Sequence, residues 1–131
     1  MSPALTPVLA LEYLRELSAD IRAGIILDAR GGIVAGEPGL AAAARQLLAG
    51  MAGAVEAHGR SGTGVVVAGR SDAFAIVLVC GSQALVGLVR HDVRLVLGDL
   101  GAPARPVGSP HVVPEALVAQ LLAAVRRGPG D

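Results

Sequence analysis

The chain has no lysine and no tryptophan, and only one cysteine, one tyrosine and one phenylalanine among 131 residues. Without lysine, neither a phosphate-loop lysine nor a Schiff-base lysine is possible. The scarcity of aromatic side chains excludes a stacking platform for nucleic-acid bases. The 11 basic residues, all arginine, balance 11 acidic ones, so no net charge attracts nucleic acid or anionic lipid. We therefore expect no nucleic-acid partner.

A single cysteine, Cys80, excludes an intrachain disulfide, so nothing indicates an oxidising compartment. The first 18 residues lack the basic region of a signal peptide. The most apolar window, residues 73–89, is shorter than the ~20 residues of a membrane helix, and Gly81-Ser82-Gln83 interrupts it. These features predict a cytoplasmic protein with no membrane insertion.

Polar surface is scarce. Apolar residues make up 53% of the chain and charged residues 17%, against roughly 45–50% and 25% in typical domains. A chain of this length is most simply one domain, which buries about two thirds of its unfolded surface. The apolar excess predicts that a second chain covers part of the folded surface.

No pattern of residues predicts catalysis or metal binding. The glycine-rich stretch Ser61–Gly64 lacks the lysine and the strand-to-helix position of a phosphate loop, so a turn is expected there. His58, His91 and His111 are scattered, without metal-ligand spacing to Cys80. Cys80 ends an apolar run and is expected to be a small buried hydrophobe. We predict no catalytic residue, no metal and no cofactor.

The first half of the chain contains clear start and turn signals. Thr6-Pro7 is a typical N-cap with proline at the first helical position, and the apolar spacing that follows predicts an amphipathic helix over 7–20. Apolar runs at 25–27 and 33–35 flank the glycine-containing stretch 28–32, which predicts a β-hairpin with Asp28 as a turn residue. A second helix is expected over 40–58, with Gly59 as its cap.

The second half is rich in valine and isoleucine. Three apolar runs between Thr63 and Val89 are separated by breaks too short for a helix, which predicts a three-stranded antiparallel meander. A short helix within 91–100 would close a domain over 1–100. Residues 101–113 predict a proline-rich linker, and 114–127 an amphipathic helix that lies on its own domain or on a partner.

This order of elements resembles the roadblock/dynein light chain domain family. Asp28 closes the first strand, residues 30–36 (RGGIVAG) resemble the family's second strand, 47–55 its small-residue central helix and 84–89 its last strand. The resemblance covers about residues 7–100. It implies an α+β fold with a five-stranded antiparallel sheet and helices before, between and after its strands.

The resemblance also implies a homodimer whose central helices lie side by side and whose edge strands join. The expected interface residues are Ala42, Ala49, Gly50, Gly53 and Ala57 on the helix and Val65, Val66 and Val67 on the joining strand. The implied partner is a small Ras-like GTPase or a signalling complex, bound without catalysis.

Four arginines at predicted ends of elements are candidates for contacting a partner. They are Arg30, Arg60, Arg70 and Arg90. Two other functions stay open: a small-molecule sensor with a profilin-like α+β fold and a pocket under the sheet, or an enzyme subunit whose site needs another chain.

Overall fold

The structure, a computed structural model, describes residues 6–100 and 110–126. In chain order the elements are helix α1 (Pro7–Leu17), strands β1 (Ile21–Asp28) and β2 (Ile33–Gly36), a 3₁₀ turn (Pro38–Leu40), helix α2 (Ala41–Gly50), strands β3 (Glu56–Ser61), β4 (Gly64–Arg70) and β5 (Phe74–Gly81), helix α3 (Val86–Asp99), strand β6 (His111–Val112) and helix α4 (Glu115–Arg126).

The strands of this part of the chain form one sheet in the order β2-β1-β5-β4-β3-β6. Strands β1 to β5 pair antiparallel, whereas β6 pairs parallel to β3. The predicted α+β class is confirmed. The sheet has one strand more than predicted, because the segment after α3 returns to the open side of β3.

Helices cover both faces of the sheet. Helices α1 and α3 pack on one face and α2 and α4 on the other, with a separate buried apolar cluster under each pair. Alternate residues of β4 and β5 therefore enter different cores; in β4, Val66 and Ala68 face one and Val65 and Val67 the other. Strands buried on both sides read as unbroken apolar runs, which explains the composition of residues 65–80.

The first helix begins where it was predicted but ends at Leu17, three residues before its predicted end, and the hairpin was predicted correctly. The Thr6 hydroxyl accepts a hydrogen bond from the Leu9 N–H at 3.3 Å, as an N-cap should. Asp28 Oδ1 accepts the N–H groups of Arg30 and Gly32, both at 2.9 Å. These bonds lower the pKa of the Asp28 carboxyl, so it stays ionised in the turn. Hydrogen bonds between the Asp28 side chain and nearby backbone thus stabilise the turn of the hairpin.

The predicted central helix over 40–58 is wrong beyond its middle. Helix α2 ends at Gly50, and Ala52 takes a left-handed conformation with φ of 52°. Gly50 and Gly53, which were predicted as interface residues within a longer helix, lie at this break instead. The chain then enters β3, so Gly59 is a strand residue and not a helix cap.

The predicted meander is shifted by one strand. Its members are β3, β4 and β5, whereas residues 84–89, predicted as the last strand, lead into and begin α3. The buried residues of that region recur at helical spacing: Val89, Val93, Val96, Leu97 and Leu100. The apolar run from 84 is thus the start of a 14-residue helix that packs on β4.

The carboxy-terminal helix forms close to its predicted bounds, as α4. It lies on the chain's own domain, with Leu117, Val118, Leu121 and Leu122 buried in the cluster that also holds α2. Of the predicted linker, residues 101–109 lie outside the described residues, and His111–Val112 form β6. Within the described residues, no helix has the length and apolarity needed to cross a membrane.

Candidate interaction surfaces

One side of α2 carries small residues that the protomer leaves uncovered. Ala42, Ala49 and Gly50 are exposed, as is Gly53 in the following turn. Ala42 and Ala49 lie seven residues apart and share a face of the helix. A methyl group built on Gly50 or Gly53 would meet no atom within 4 Å. This surface is therefore uncovered within the protomer, and it also carries the exposed side chain of Gln46, one turn from both Ala42 and Gly50.

The other four predicted interface residues lie inside the protomer. Val65, Val66 and Val67 are fully buried in β4, which is paired on both sides by β3 and β5. They have no free strand edge to offer, so their prediction as a joining strand is wrong. Ala57 is also fully buried and lies in β3, not on the central helix.

The edge of β3 is covered by the chain itself. Residues 110–126, hereafter the carboxy-terminal segment, place β6 along it, with Ala57 opposite His111 and His58 opposite Val112. The Val113 N–H donates to the His58 carbonyl oxygen at 2.8 Å. The other end of the sheet is β2, where Ile33 is 42% exposed.

Three arginines line an open groove of about 570 Å³ at one end of the sheet. Arg30 comes from the β1–β2 turn, Arg45 from α2 and Arg70 from the end of β4. Leu48 and Ala49 of α2 form its apolar wall. The lining also includes the carboxylates of Asp28 and Asp72, so the groove, which adjoins the exposed face of α2, carries charges of both signs.

Arg70 is committed to the fold. Its guanidinium donates to the carbonyl oxygens of Ala54 at 2.9 Å and Leu48 at 3.2 Å, and also to that of Ala52. These carbonyls belong to the end of α2 and the turn that follows, where oxygens without helical partners concentrate negative charge. Arg45 is anchored at one atom, because its Nε donates to the Gly31 carbonyl oxygen at 2.8 Å.

Arg90 is committed to an ion pair. It donates to Glu56 Oε1 at 2.9 Å, and Arg94 reaches Oε2 at 2.7 Å, so two arginines of α3 hold one carboxylate of β3. Burial raises the pKa of Glu56, but the hydrogen bonds from Arg94 and Arg90 outweigh burial and leave the pKa below its ordinary value. Glu56 thus stays ionised at neutral pH. Of the four predicted partner-contacting arginines, Arg30 and Arg60 remain exposed.

Potentially reactive side chains are not brought together. Within residues 6–100 and 110–126, no cluster of three histidine, cysteine or acidic side chains is placed to hold a metal ion. Cys80 is fully buried, and burial, with Asp20 nearby, raises the pKa of its thiol to about 12. A thiol with so high a pKa is a poor nucleophile at neutral pH.

Glu56, Arg45 and Arg94 were not among the residues predicted to be functional. A signal for the position of Glu56 was present in the sequence. Gly50 and Gly53 disfavour a helix, so the predicted helix could end before Glu56 and a strand could begin there. The pairing with α3 has no local signal, because Glu56 and Arg90 are 34 residues apart.

No family model and no curated protein matches this chain. Solved structures do. A Roadblock/LC7 domain from Streptomyces avermitilis matches with a TM-score of 0.57 and 20% identity, covering 68% of this chain and 92% of its own. Myxococcus xanthus MglB matches with a TM-score of 0.59 and 14% identity, covering 70% of this chain and 81% of its own.

A further structure, MglB in a tetrameric arrangement, matches with a TM-score of 0.52 and 17% identity. It covers 95% of this chain and 99% of its own. The first two matches span about as many residues as the region from α1 to α3, whereas this one is long enough to include the carboxy-terminal segment. On these similarities and the order of its elements, the chain has the roadblock/LC7 fold.

Proposed function

We propose that the protein is a non-catalytic, cytoplasmic adaptor that pairs with a second copy of itself and binds a small Ras-like GTPase or a signalling complex. The observation that carries this proposal is the exposed small-residue face of α2 on a roadblock/LC7 fold. In the described residues, Ala42, Ala49, Gly50 and Gly53 are covered by nothing else in the protomer. The partner class is taken from the resemblance described above.

The α2 face suits a symmetric contact between two copies. Alanine and glycine lose little or no side-chain entropy when they are buried, so pairing costs less than with long side chains. Small side chains also let two helix backbones approach closely, which gives dense packing. In a two-fold dimer the same patch is buried twice, so each favourable contact counts twice.

A bulky charged residue on the α2 face should prevent this pairing. We expect Ala49→Arg to weaken self-association at least tenfold, because the guanidinium would be desolvated between two helices without a partner. Sedimentation of the variant and the wild type over a concentration series measures the effect. The matched control is Ala119→Arg, an exposed alanine of α4. A wild-type chain that stays monomeric at tens of micromolar would contradict the homodimer.

Arg30 is the best candidate for contact with the partner. It is exposed and lines the groove beside α2, where its charge also acts on the Asp28 carboxylate. Immobilised protein should retain a purified Ras-like GTPase from the same organism, with retention that differs between the GTP- and GDP-loaded forms. Arg30→Glu should reduce retention at least fivefold, because it reverses the charge that meets a partner's acidic group.

The control for this charge reversal is Arg15→Glu on α1. Arg15 is also exposed, but α1 lies on the opposite face of the sheet from α2. Equal retention of both nucleotide forms by the wild type would argue against a nucleotide-sensing partner. Equal losses in the two variants would argue for non-specific charge attraction.

A further inference from the structure

The exposed large apolar side chains of this protein are concentrated on one helix layer. In residues 6–100 and 110–126 nine such side chains are exposed, and two of them, Ile33 and Val112, belong to edge strands. The other seven lie on α1, on α3 or at the residue before α3, and they are 44–68% exposed. We propose that this outer face of α1 and α3, hereafter the α1–α3 surface, binds an amphipathic helix of another protein whose apolar stripe is flanked by basic side chains.

Six of the seven side chains recur at helical spacing. They are Leu9, Tyr13 and Leu17, at four-residue intervals on α1, and Leu85, Leu88 and Leu95, at intervals of three and seven residues on α3 and its N-cap. Residues at such intervals share one side of a helix. Each helix therefore carries an apolar stripe towards solvent, in addition to the apolar residues that it buries against the sheet.

The two stripes lie on neighbouring helices. Helix α1 packs on β1 and β2, helix α3 packs on β4, and the two helices contact each other. Arg90 and Arg94 lie on the flank of α3 towards β3, because both bind Glu56. Leu88 is two residues before Arg90 and so lies around the helix from it, on the flank nearer α1. Two adjacent helices form a groove in which the side chains of a third helix can pack.

Unpaired carboxylates flank the two stripes. Four acidic residues lie three or four positions after a member of a stripe, and therefore on the same side of their helix. They are Glu12, Glu16, Asp92 and Asp99. None of the four is ion-paired within the described part of the chain. The α1–α3 surface thus combines apolar side chains with negative charge.

Positive charge is held away from this surface. Arg90 and Arg94 are paired with a carboxylate of β3, on the far flank of α3. Arg15 is the one arginine of α1, and it lies two residues from members of the α1 stripe, so it lies on the other side of that helix. His91 is exposed between the leucines of α3. The four carboxylates therefore face no arginine on this surface.

This charge pattern indicates which partner fits. Two copies that met through the α1–α3 surface would bring carboxylate against carboxylate, and an anionic lipid surface would be repelled in the same way. A helix with an apolar stripe flanked by arginine or lysine matches both features, because its apolar side chains enter the groove and its basic side chains meet the carboxylates. The surface therefore favours a basic amphipathic helix from a different protein.

The first measurement titrates the full-length protein with two fluorescent helical peptides of about 18 residues, or five turns. Both peptides carry the same leucine stripe, which is flanked by lysine in one and by glutamate in the other. We expect fluorescence anisotropy to show at least tenfold tighter binding of the basic peptide, with a difference that shrinks at high salt. Equal affinities for the two peptides, or no binding of the basic one up to about 1 mM, would overturn the inference.

Apolar substitutions test where the basic peptide binds. Tyr13→Ser and Leu88→Ser should each weaken its binding at least fivefold, because each removes an apolar side chain from one of the two stripes. Both side chains are about half exposed, so the fold should tolerate the changes, which circular dichroism verifies. The matched control is Val112→Ser, which removes an exposed apolar side chain at the other end of the sheet. Equal losses in all three variants would contradict binding at the α1–α3 surface.

Charge substitutions test the selection of a basic partner. Glu16→Gln combined with Asp99→Asn should weaken binding of the basic peptide at least threefold and reduce its salt dependence, because two of the four carboxylates are neutralised. Glu115→Gln is the control, since Glu115 is an exposed carboxylate of α4 on the opposite face of the sheet. An unchanged salt dependence in the double variant would show that these carboxylates do not meet the peptide.

Other occupants give different results. Weaker self-association of Leu88→Ser than of the wild type would place a second copy on this surface, and wild-type binding to phosphatidylcholine vesicles that Leu88→Ser lacks would place a membrane there; either result overturns the inference. Ala49→Arg should bind the basic peptide as the wild type does, because α2 lies on the other face of the sheet. The α1–α3 surface and the proposed homodimer can therefore fail independently.

Discussion

Gly36→Ala is expected to lower the free energy of unfolding by roughly 3–5 kcal/mol, because backbone strain and collision act together. Gly36 ends β2 with φ of 99°, a conformation that L side chains rarely adopt. A methyl group there would overlap the Gly24 carbonyl oxygen and lie 2.7 Å from Ile25 Cα. Both neighbours are backbone of β1, in the interior of the sheet, so they cannot rotate away.

Denaturant unfolding at a fixed protein concentration measures this loss, which for a domain of this size corresponds to a fall in Tm of more than about 10 °C. Gly98→Ala is the control, because Gly98 lies in α3 and a methyl group there meets no atom within 4 Å. It should stabilise the protein by up to about 1 kcal/mol through helix propensity. A Gly36→Ala protein within 1 kcal/mol of the wild type would show that β1 and β2 separate easily.

The elements that could be predicted are those with local signals. The Thr6 side chain accepts a hydrogen bond from the backbone three residues later, and the Asp28 side chain from the backbone two and four residues later. Both interactions therefore lie within a short stretch of sequence. Helix α4 was also predictable, because its buried residues recur at helical spacing over 12 residues. In each case the local preference and the tertiary structure agree.

The errors arose where tertiary contacts decide the conformation. Strand β3, with the sequence EAHGRS, has little strand propensity and is a strand because β4 pairs with it along its whole length. The opposite error occurred at residues 84–89, where a short apolar run fits a strand and the first turn of a buried helix equally well. The helical spacing out to Leu100 could have decided between them.

The predicted interface residues also fall into two groups, those that depend on local sequence and those that depend on strand order. Ala42, Ala49 and Gly50 of α2 are exposed, as a contact between the central helices of two copies requires. Ala57 and Val65 are not, because their placement depended on which strand lies at the edge. Strand order is set by non-local pairing and had no signal in the local pattern. The covering of β3 by residues 111–113 could not be predicted for the same reason.

Arg70→Ala is expected to lower the free energy of unfolding by roughly 2–4 kcal/mol, because hydrogen bonds from a charged donor are worth more than neutral ones and two of the three acceptors, those of Leu48 and Ala54, are half-buried. The side chain joins β4 to the carbonyls of Leu48, Ala52 and Ala54. It therefore holds in place the turn in which Ala52 has a positive φ. Without it, the end of α2 should fray.

The substitutions Arg70→Lys and Arg60→Ala complete this test. Lysine keeps the charge but cannot direct donors at three separated carbonyls, so it should recover less than half of the loss. Arg60 is an exposed residue of β3, and its truncation should change stability by less than about 0.5 kcal/mol. The two arginines were equal candidates for partner contact in the sequence. If Arg70→Ala kept its stability but lost GTPase retention, Arg70 would be a binding residue and the carbonyl contacts incidental. If stability falls and Arg60→Ala is silent, Arg70 serves the fold by holding the end of α2 and the turn after it in place.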